Sequence, residues 1–176
     1  MIRLRRSSEY LIPTKDRKEL YDIIITAYRL TEVEVWGHEY ERISFVDYNK
    51  LIEKGEIIIA YWHNQVGGGI HYYEREPGVF VFSLLGSDFD LAGKGIGRAL
   101  VEEVEIAAKE NGARAIQLEI LRPKGIEVPF KIRIKNWYER MGYKFTHSED
   151  FAKVHPIKSR KLVNPSNFDY YWKDLG

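Results

Sequence analysis

The 176-residue sequence predicts an α/β fold organised around parallel central strands, and two observations carry that prediction. The first is a nearly unbroken apolar run, Val79 to Leu85 in "GVFVFSLLG", which has the look of a central strand buried on both faces. The second is the order of segments after that run: a glycine-rich turn, an apolar-periodic helix and the alternating strand "ARAIQLEIL". Strand, helix and strand in that order form a crossover, and a crossover joins parallel neighbours.

The remaining elements can be justified in chain order. "MIRLRR" alternates Ile2 and Leu4 with Arg3 and Arg5, as a short half-buried first strand does. "DRKELYDIIITAYRL" reads as a helix, with Asp16 as N-cap, Glu19 at capping-box spacing, and Leu20, Ile24, Ala27 and Tyr28 on one face. "TEVEVWGHEYERISF" holds aromatics and acids without a period, and a short helix is expected from Asp47 to Lys54, ended by Gly55. "IIIAYWH" and "VGGGIHYYE" read as a hairpin turning at Asn64 and Gln65. Three glycines inside its second strand, Gly67 to Gly69, point to a bulge or a close approach of a ligand. After the central strand, Ile96, Ala99, Leu100, Val104 and Ala107 recur at helical spacing up to Asn111 and Gly112. "FKIRIKNWYERMGY" supplies another helix, with Phe130, Ile134, Trp137 or Tyr138, and Met141 on one face and Gly142 at its end. "YKFTHSEDF" and "FDYYWKDL" are the last strands, separated by the long basic stretch Ala152 to Asn167. Without repeats or a linker, residues 1–176 read as one domain.

Composition narrows the partners. With 27 Lys and Arg against 26 Asp and Glu, the chain has no global field to draw nucleic acid or an anionic membrane, so charge recognition must be local. The absence of Cys removes disulfides, thiolate zinc sites and cysteine nucleophiles, and five scattered histidines make no metal-spaced cluster. The start of the sequence has no apolar signal core and no segment is long enough to span a bilayer, so a cytoplasmic location is expected.

The chemistry concentrates in "LAGKGIGRALVEEVEIAAKENGA", Leu91 to Ala113. A buried strand, a glycine loop and a helix that begins in the loop make an anion site, because the first amides of the helix are unpaired and glycines admit close approach. A Walker loop is excluded: Gly86 lies too far from Gly93-Lys94, and Gly95 stands where the magnesium-binding hydroxyl belongs. A dinucleotide fingerprint is excluded as well, since Arg98 takes the place of its third glycine.

Residues "LGSDFDLAGKGIGRALVEEVEIAAKENGARAIQLEI" resemble the acyl-CoA-binding core of the GNAT superfamily of N-acetyltransferases, and "NWYERMGYKF" resembles the family's later helix and its tyrosine. The resemblance extends over the order of elements along the whole chain. It implies a mixed, bent central sheet flanked by helices, acetyl-CoA as acyl donor, no metal, and transfer of the acetyl group to a primary amine by direct attack in a ternary complex. Gly95 and Gly97 fill the small positions of the family loop, while Ala92 stands where the family has Arg or Gln and Lys131 where it often has Asn. On this basis Leu85, Gly86, Ser87, Ala92, Gly93, Lys94, Gly95, Ile96, Gly97, Arg98 and Lys131 are the candidate cofactor-binding residues. The resemblance also implies that a backbone amide among Leu85 to Ser87 meets the acetyl carbonyl where the strand splays, with Gly86 helping the break.

Transfer from a thioester to an amine also needs an acid for the thiolate and a base for the amine. Tyr138 is the candidate acid by its match to the family tyrosine, its other reading being a core aromatic. Tyr138, Glu119 and Ser87 form the catalytic set, and the base stays open among Glu119, His71, Glu74, Asp88, His38 and a water chain. Glu34, Trp36, His38, Tyr40 and His71 are the candidates for binding a small-molecule or peptide acceptor, with Glu32, Glu39 and Glu41 also able to attract a cationic amine. The loop around His155 to Lys161 is the candidate for meeting a phosphate or carboxylate on the acceptor or the donor. A homodimer is compatible with the sequence. A noncatalytic acyl-CoA sensor or interaction module on the same fold is the alternative.

Overall fold

Along β2 (Ile57–Trp62) consecutive residues are apolar because both faces of the strand are covered. Ile58 and Ala60 join the core beneath α4 (Ile96–Glu110), whereas Ile57, Ile59 and Tyr61 join the core beneath α1 (Thr14–Thr31) and α3 (Phe45–Glu53). The same division runs across the seven-stranded sheet that the computed structural model describes for residues Met1–Gly176. The other strands are β1 (Ile2–Arg6), β3 (Gln65–Glu76), β4 (Val79–Ser87), β5 (Ala115–Pro123), β6 (Lys144–Asp150) and β7 (Ser166–Asp174). Their order is β1-β2-β3-β4-β5-β7-β6. The remaining helices are α2 (Val33–Trp36), α5 (Pro129–Arg140) and α6 (Phe151–Val154). A third cluster, Val35, Trp36, Leu121, Phe151, Phe168 and Tyr170, closes the end where α2 and α6 meet β5 and β7. No helix is long and apolar enough to cross a membrane.

The parallel pair expected from the crossover is β4 with β5, and the sheet is otherwise antiparallel. That pairing is short. It joins Val79–Val81 to Ala115–Gln117 and then stops, while β5 stays paired with β7 from Ala115 to Pro123. Beyond Val81, β4 therefore leaves its neighbour and opens a wedge in the middle of the sheet. The β3–β4 register shifts between Gly69 and His71, and across that shift Leu84 takes a φ of +49°, a left-handed conformation that L-residues seldom adopt. The break in the strand thus falls on Leu84. Gly86 serves packing instead, since a Cβ there would lie 3.0 Å from Ile24 and 3.2 Å from Ala27 of α1.

Of the two readings of the β3 glycines the structure shows the bulge, and the close approach it shows is that of the β4 backbone. Gly67 is the extra residue where the β2–β3 register shifts, with Ala60 opposite Gly68 and Tyr61 opposite Val66. Gly68 lies so close to β4 that a Cβ would come within 2.6 Å of the Gly86 carbonyl oxygen. Backbone cannot yield as a flexible side chain does, so Gly68→Ala should push β3 from β4 at the wedge and cost about 1–3 kcal/mol, as overpacking typically does. Chemical denaturation measures this as a lower midpoint at unchanged slope; an unaltered midpoint would mean that the close approach is slack.

Several boundaries differ from the sequence expectation. α1 begins at Thr14 after Pro13, and Asp16 lies inside its first turn, where its carboxylate accepts from the Tyr61 hydroxyl at 2.6 Å instead of capping the helix. α3 begins two residues before Asp47 because the Ser44 hydroxyl accepts from the Asp47 N–H at 3.1 Å. The β2–β3 turn falls on His63 and Asn64, both with positive φ, so Gln65 already belongs to β3.

Candidate active site

The loop before α4 is shaped by its glycines. Gly93 and Gly95 have φ of +79° and +85°, and Gly95 immediately precedes the helix. Ala99 donates the first helical hydrogen bond, to the Gly95 carbonyl at 3.0 Å, which leaves the N–H groups of Ile96, Gly97 and Arg98 without intrahelical partners. No side chain caps this end and its first turn has no acid, so its partial positive charge is uncompensated. Beside it, Arg133, Trp137 and Arg140 lie on a single face of α5 at i, i+4 and i+7, and Trp137 lies 3.5 Å from the position a Cβ on Gly97 would take. Free amides and two guanidinium groups therefore frame the same mouth.

That mouth opens into a cavity of about 700 Å³ occupying the wedge between β4 and β5. Leu85, Gly86 and Ser87 form one wall, with Ala92, Gly93 and Gly97 at the loop end and Glu119, Lys131 and Tyr138 deeper in. From Phe82 onward the edge of β4 turned toward β5 has no strand partner, so the backbone amides on that edge are not taken up by β5. Other loop candidates turn elsewhere. The Lys94 ammonium sits over the Trp62 ring at 5.8 Å, Arg98 pairs with Glu102 at 2.7 Å, and Ile96 is buried in the core. With Gly95 setting the turn, those three positions offer the site backbone alone.

Tyr138 is buried against Phe82, Trp137 and Tyr143, and it is also one of the residues that line the cavity. Burial raises its pKa far above the ordinary phenol value, with neighbouring Tyr28 adding to the rise and no hydrogen bond contributing. The hydroxyl is thus protonated throughout the neutral range. Tyr28 reaches the same space from α1, where burial pushes it up to about 12 against the pull of the Arg42 charge and the amides of Leu85 and Leu84.

The far end of the cavity is a cluster of charges. Lys131 donates to Glu32 at 2.6 Å, and both are buried. Glu119, on β5, pairs with Arg75 of β3 at 2.6 Å, so the carboxylate expected as a base already holds a cation. Arg42 rests over the Tyr28 ring at 5.3 Å, and its fully buried Nε has no hydrogen-bond partner. His155, from the basic loop, lines the cavity too. Burial lowers its pKa below 6.5, with Lys158 the next cause, so its imidazole is neutral at pH 7.

Of the residues expected to meet the acceptor, the structure brings Glu32 and, from the basic loop, His155 and Lys158 to this cavity, but not Glu34, Trp36, His38, Tyr40 or His71. Glu34 is exposed on α2; Trp36 is buried in a stack with Tyr40, centroids 4.3 Å apart; and His38 and Tyr40 border a separate surface niche with Glu39, Glu41 and Lys161. His71 is buried between Glu56, at 2.9 Å, and Ser83, at 3.3 Å, which accounts for it as a structural residue. Of the other base candidates, Asp88 lines the cavity and Glu74 accepts from the Gly78 N–H at 3.1 Å. Glu32 is among the acids the sequence singles out, but the sequence gives no sign that Arg42 and Arg75 join it, because separate segments contribute the three. Only the spacing of Arg133, Trp137 and Arg140 could have been read in advance.

The chain matches the family described as the acetyltransferase (GNAT) domain over residues 53–145, more than half its length, and it belongs to that family. Its fold is shared with solved acetyltransferase structures at low identity. An aminoglycoside 6'-N-acetyltransferase complexed with coenzyme A aligns over 99% of this chain and 97% of its own, with 15% identity and a TM-score of 0.71. The yncA protein of Salmonella typhimurium, with its cofactor acetyl-CoA, aligns over 100% and 95%, with 12% identity and a TM-score of 0.70. The ribosomal-protein-S18-alanine N-acetyltransferase of Escherichia coli aligns over 100% and 95%, with 14% identity and a TM-score of 0.65. A comparison with curated protein sequences finds no match.

Proposed function

We propose that the protein is an N-acetyltransferase that takes its acetyl group from acetyl-CoA and passes it to a primary amine bound with it in the wedge. One observation carries this reading: an uncapped helix start free of acids opens onto the cavity created where β4 leaves β5. The residues present suit the donor. The amides of Ile96, Gly97 and Arg98 would hold its pyrophosphate, with Arg133 and Arg140 supplying the side-chain charge that Ala92 does not. Acetyl-CoA supplies an activated thioester.

The remaining roles fall to the chain. A backbone amide of Leu85 to Ser87 would stabilise the charge that builds on the acetyl oxygen, and Ser87 lies on that wall beside the loop. Tyr138, neutral and within the cavity, gives its proton to the departing sulfur. An amine in water has a pKa of about 10.4 and needs an acceptor for its proton. His155 is suited to that task because it is neutral at pH 7, whereas Glu119, held by Arg75, orients the cluster around it. Arg42, Arg75, Glu119 and Lys158 are the charges that surround His155.

A pH dependence is expected from these roles. His155 accepts a proton below its lowered pKa, so kcat should fall on the acid side at a pH below 6.5, and the protonated tyrosine adds no basic limb near neutrality. Thiol release measured across pH checks this, with mass spectrometry of the acetylated amine identifying the bond formed. His155→Gln should lower kcat by about 10²-fold or more and abolish the acid limb. An unchanged limb would transfer the role to Glu119 or a water chain.

A further inference from the structure

The far end of the cavity has more positive charge than it can pair internally. Its two carboxylates are each engaged, Glu32 by Lys131 and Glu119 by Arg75, both at 2.6 Å. Arg42 feels the charge of Glu32 but makes no hydrogen bond to it: a ring lies beneath its guanidinium and its buried Nε meets no acceptor, while Lys158 adds a further cation to the cavity lining. Leaving a buried donor without a partner is costly, and proteins seldom retain one unless a bound group completes it. A planar guanidinium fork completes most fully with a planar oxyanion, which it can grip through two parallel hydrogen bonds. Arg133 and Arg140 do not account for the excess, since they lie on the face of α5 beside the glycine loop.

We infer that the acceptor is a small amine that also carries a carboxylate, with the carboxylate held by Arg42 and the amine presented toward His155. The inference rests on the acetyltransferase reading, which supplies the attacking amine. The same charges define an excluded class. A polycation such as a polyamine would meet Arg42, Arg75, Lys131 and Lys158 at the end of the cavity where its second amine must lie. Two sources could present this chemistry, a free amino acid and the carboxyl end of a short peptide whose amine lies nearby.

The test uses the full-length protein and begins with the acetyl-CoA dissociation constant, so that failure of the donor site is recognised separately. Free amino acids, their carboxamides, the corresponding amines without the carboxyl group, aminophosphonate analogues and dipeptides are then compared by thiol release and by calorimetric binding to the protein–CoA complex. A carboxylate-bearing amine should bind and turn over at least tenfold better in kcat/KM than its own carboxamide, with the dipeptide arm showing which source is used. Arg42→Lys, which keeps the charge but loses the fork, and Arg42→Gln should both reduce that ratio toward one, with the acetyl-CoA dissociation constant unchanged within twofold. Should Arg42→Gln not fold, the wild-type comparison and Arg42→Lys still decide. If acetyl-CoA binds but carboxamides or polyamines equal the acids, if phosphonates exceed the carboxylates, if no carboxylate-bearing amine reacts, or if Arg42→Gln keeps the preference, the inference is overturned. If acetyl-CoA does not bind, the acetyltransferase reading falls first and takes the inference with it.

Discussion

The Gly97→Glu variant is expected to fold normally and lose acetyl-CoA. Gly97 is in the first turn of α4, and a Cβ there stands at ordinary contact distance from Trp137, 3.5 Å, so a side chain can be housed without moving backbone. A carboxylate at a helix start is favoured by the free amides and the dipole, which adds about 0.3–1 kcal/mol to stability when the site is empty. The same carboxylate takes the place proposed for the pyrophosphate and repels it. Losing two charge-assisted hydrogen bonds, at about 1.5–3 kcal/mol each, predicts at least a 100-fold weaker dissociation constant. Stability and affinity should therefore move in opposite directions, a combination that general damage to the fold does not produce. Thermal melting together with titration of acetyl-CoA measures both, and retained affinity in the folded variant would remove the loop from the donor site.

Tyr138→Phe should lower kcat by about 10²–10⁴-fold, the range spanned by general acid catalysis, with little change in acetyl-CoA affinity. The aromatic contacts with Phe82, Trp137 and Tyr143 belong to the ring and persist in phenylalanine. Since no hydrogen bond to the hydroxyl contributes to its environment, its removal costs the fold nothing, and Tm should hold or rise. A role confined to packing predicts unaltered kcat in the same variant. Single-turnover thiol release separates the chemical step from product release and decides between the two.

The anion-binding helix start was legible in the sequence because it is a local property: Gly93, Gly95 and Gly97 lie within one turn of the helix they introduce, and their spacing rules out the Walker and dinucleotide alternatives. The parallel β4–β5 pair was legible for a similar reason, since the crossover between them fixes direction. The irregularity within β4 is not legible in the same way. Leu84 carries the positive φ because the β3–β4 register demands it there, and nothing in a leucine announces that; Gly86 drew attention but is explained by α1 pressing on it. Acceptor residues were harder still. Glu34, Trp36, His38 and Tyr40 have suitable chemistry in sequence order, but α2 turns Trp36 into the core and leaves Glu34 in solvent. The charges that do meet come from the end of α1, the loop before α3, β3, β5, α5 and the loop after α6. Only the closed fold brings those six segments together.

Calorimetric titration of the purified protein with acetyl-CoA, with ATP-magnesium and NAD as controls, tests the proposed donor site most directly. Selective micromolar binding of acetyl-CoA, about 8 kcal/mol, is expected, with no heat from either control. Absence of acetyl-CoA binding by the folded protein, or equal binding of ATP-magnesium, would contradict it.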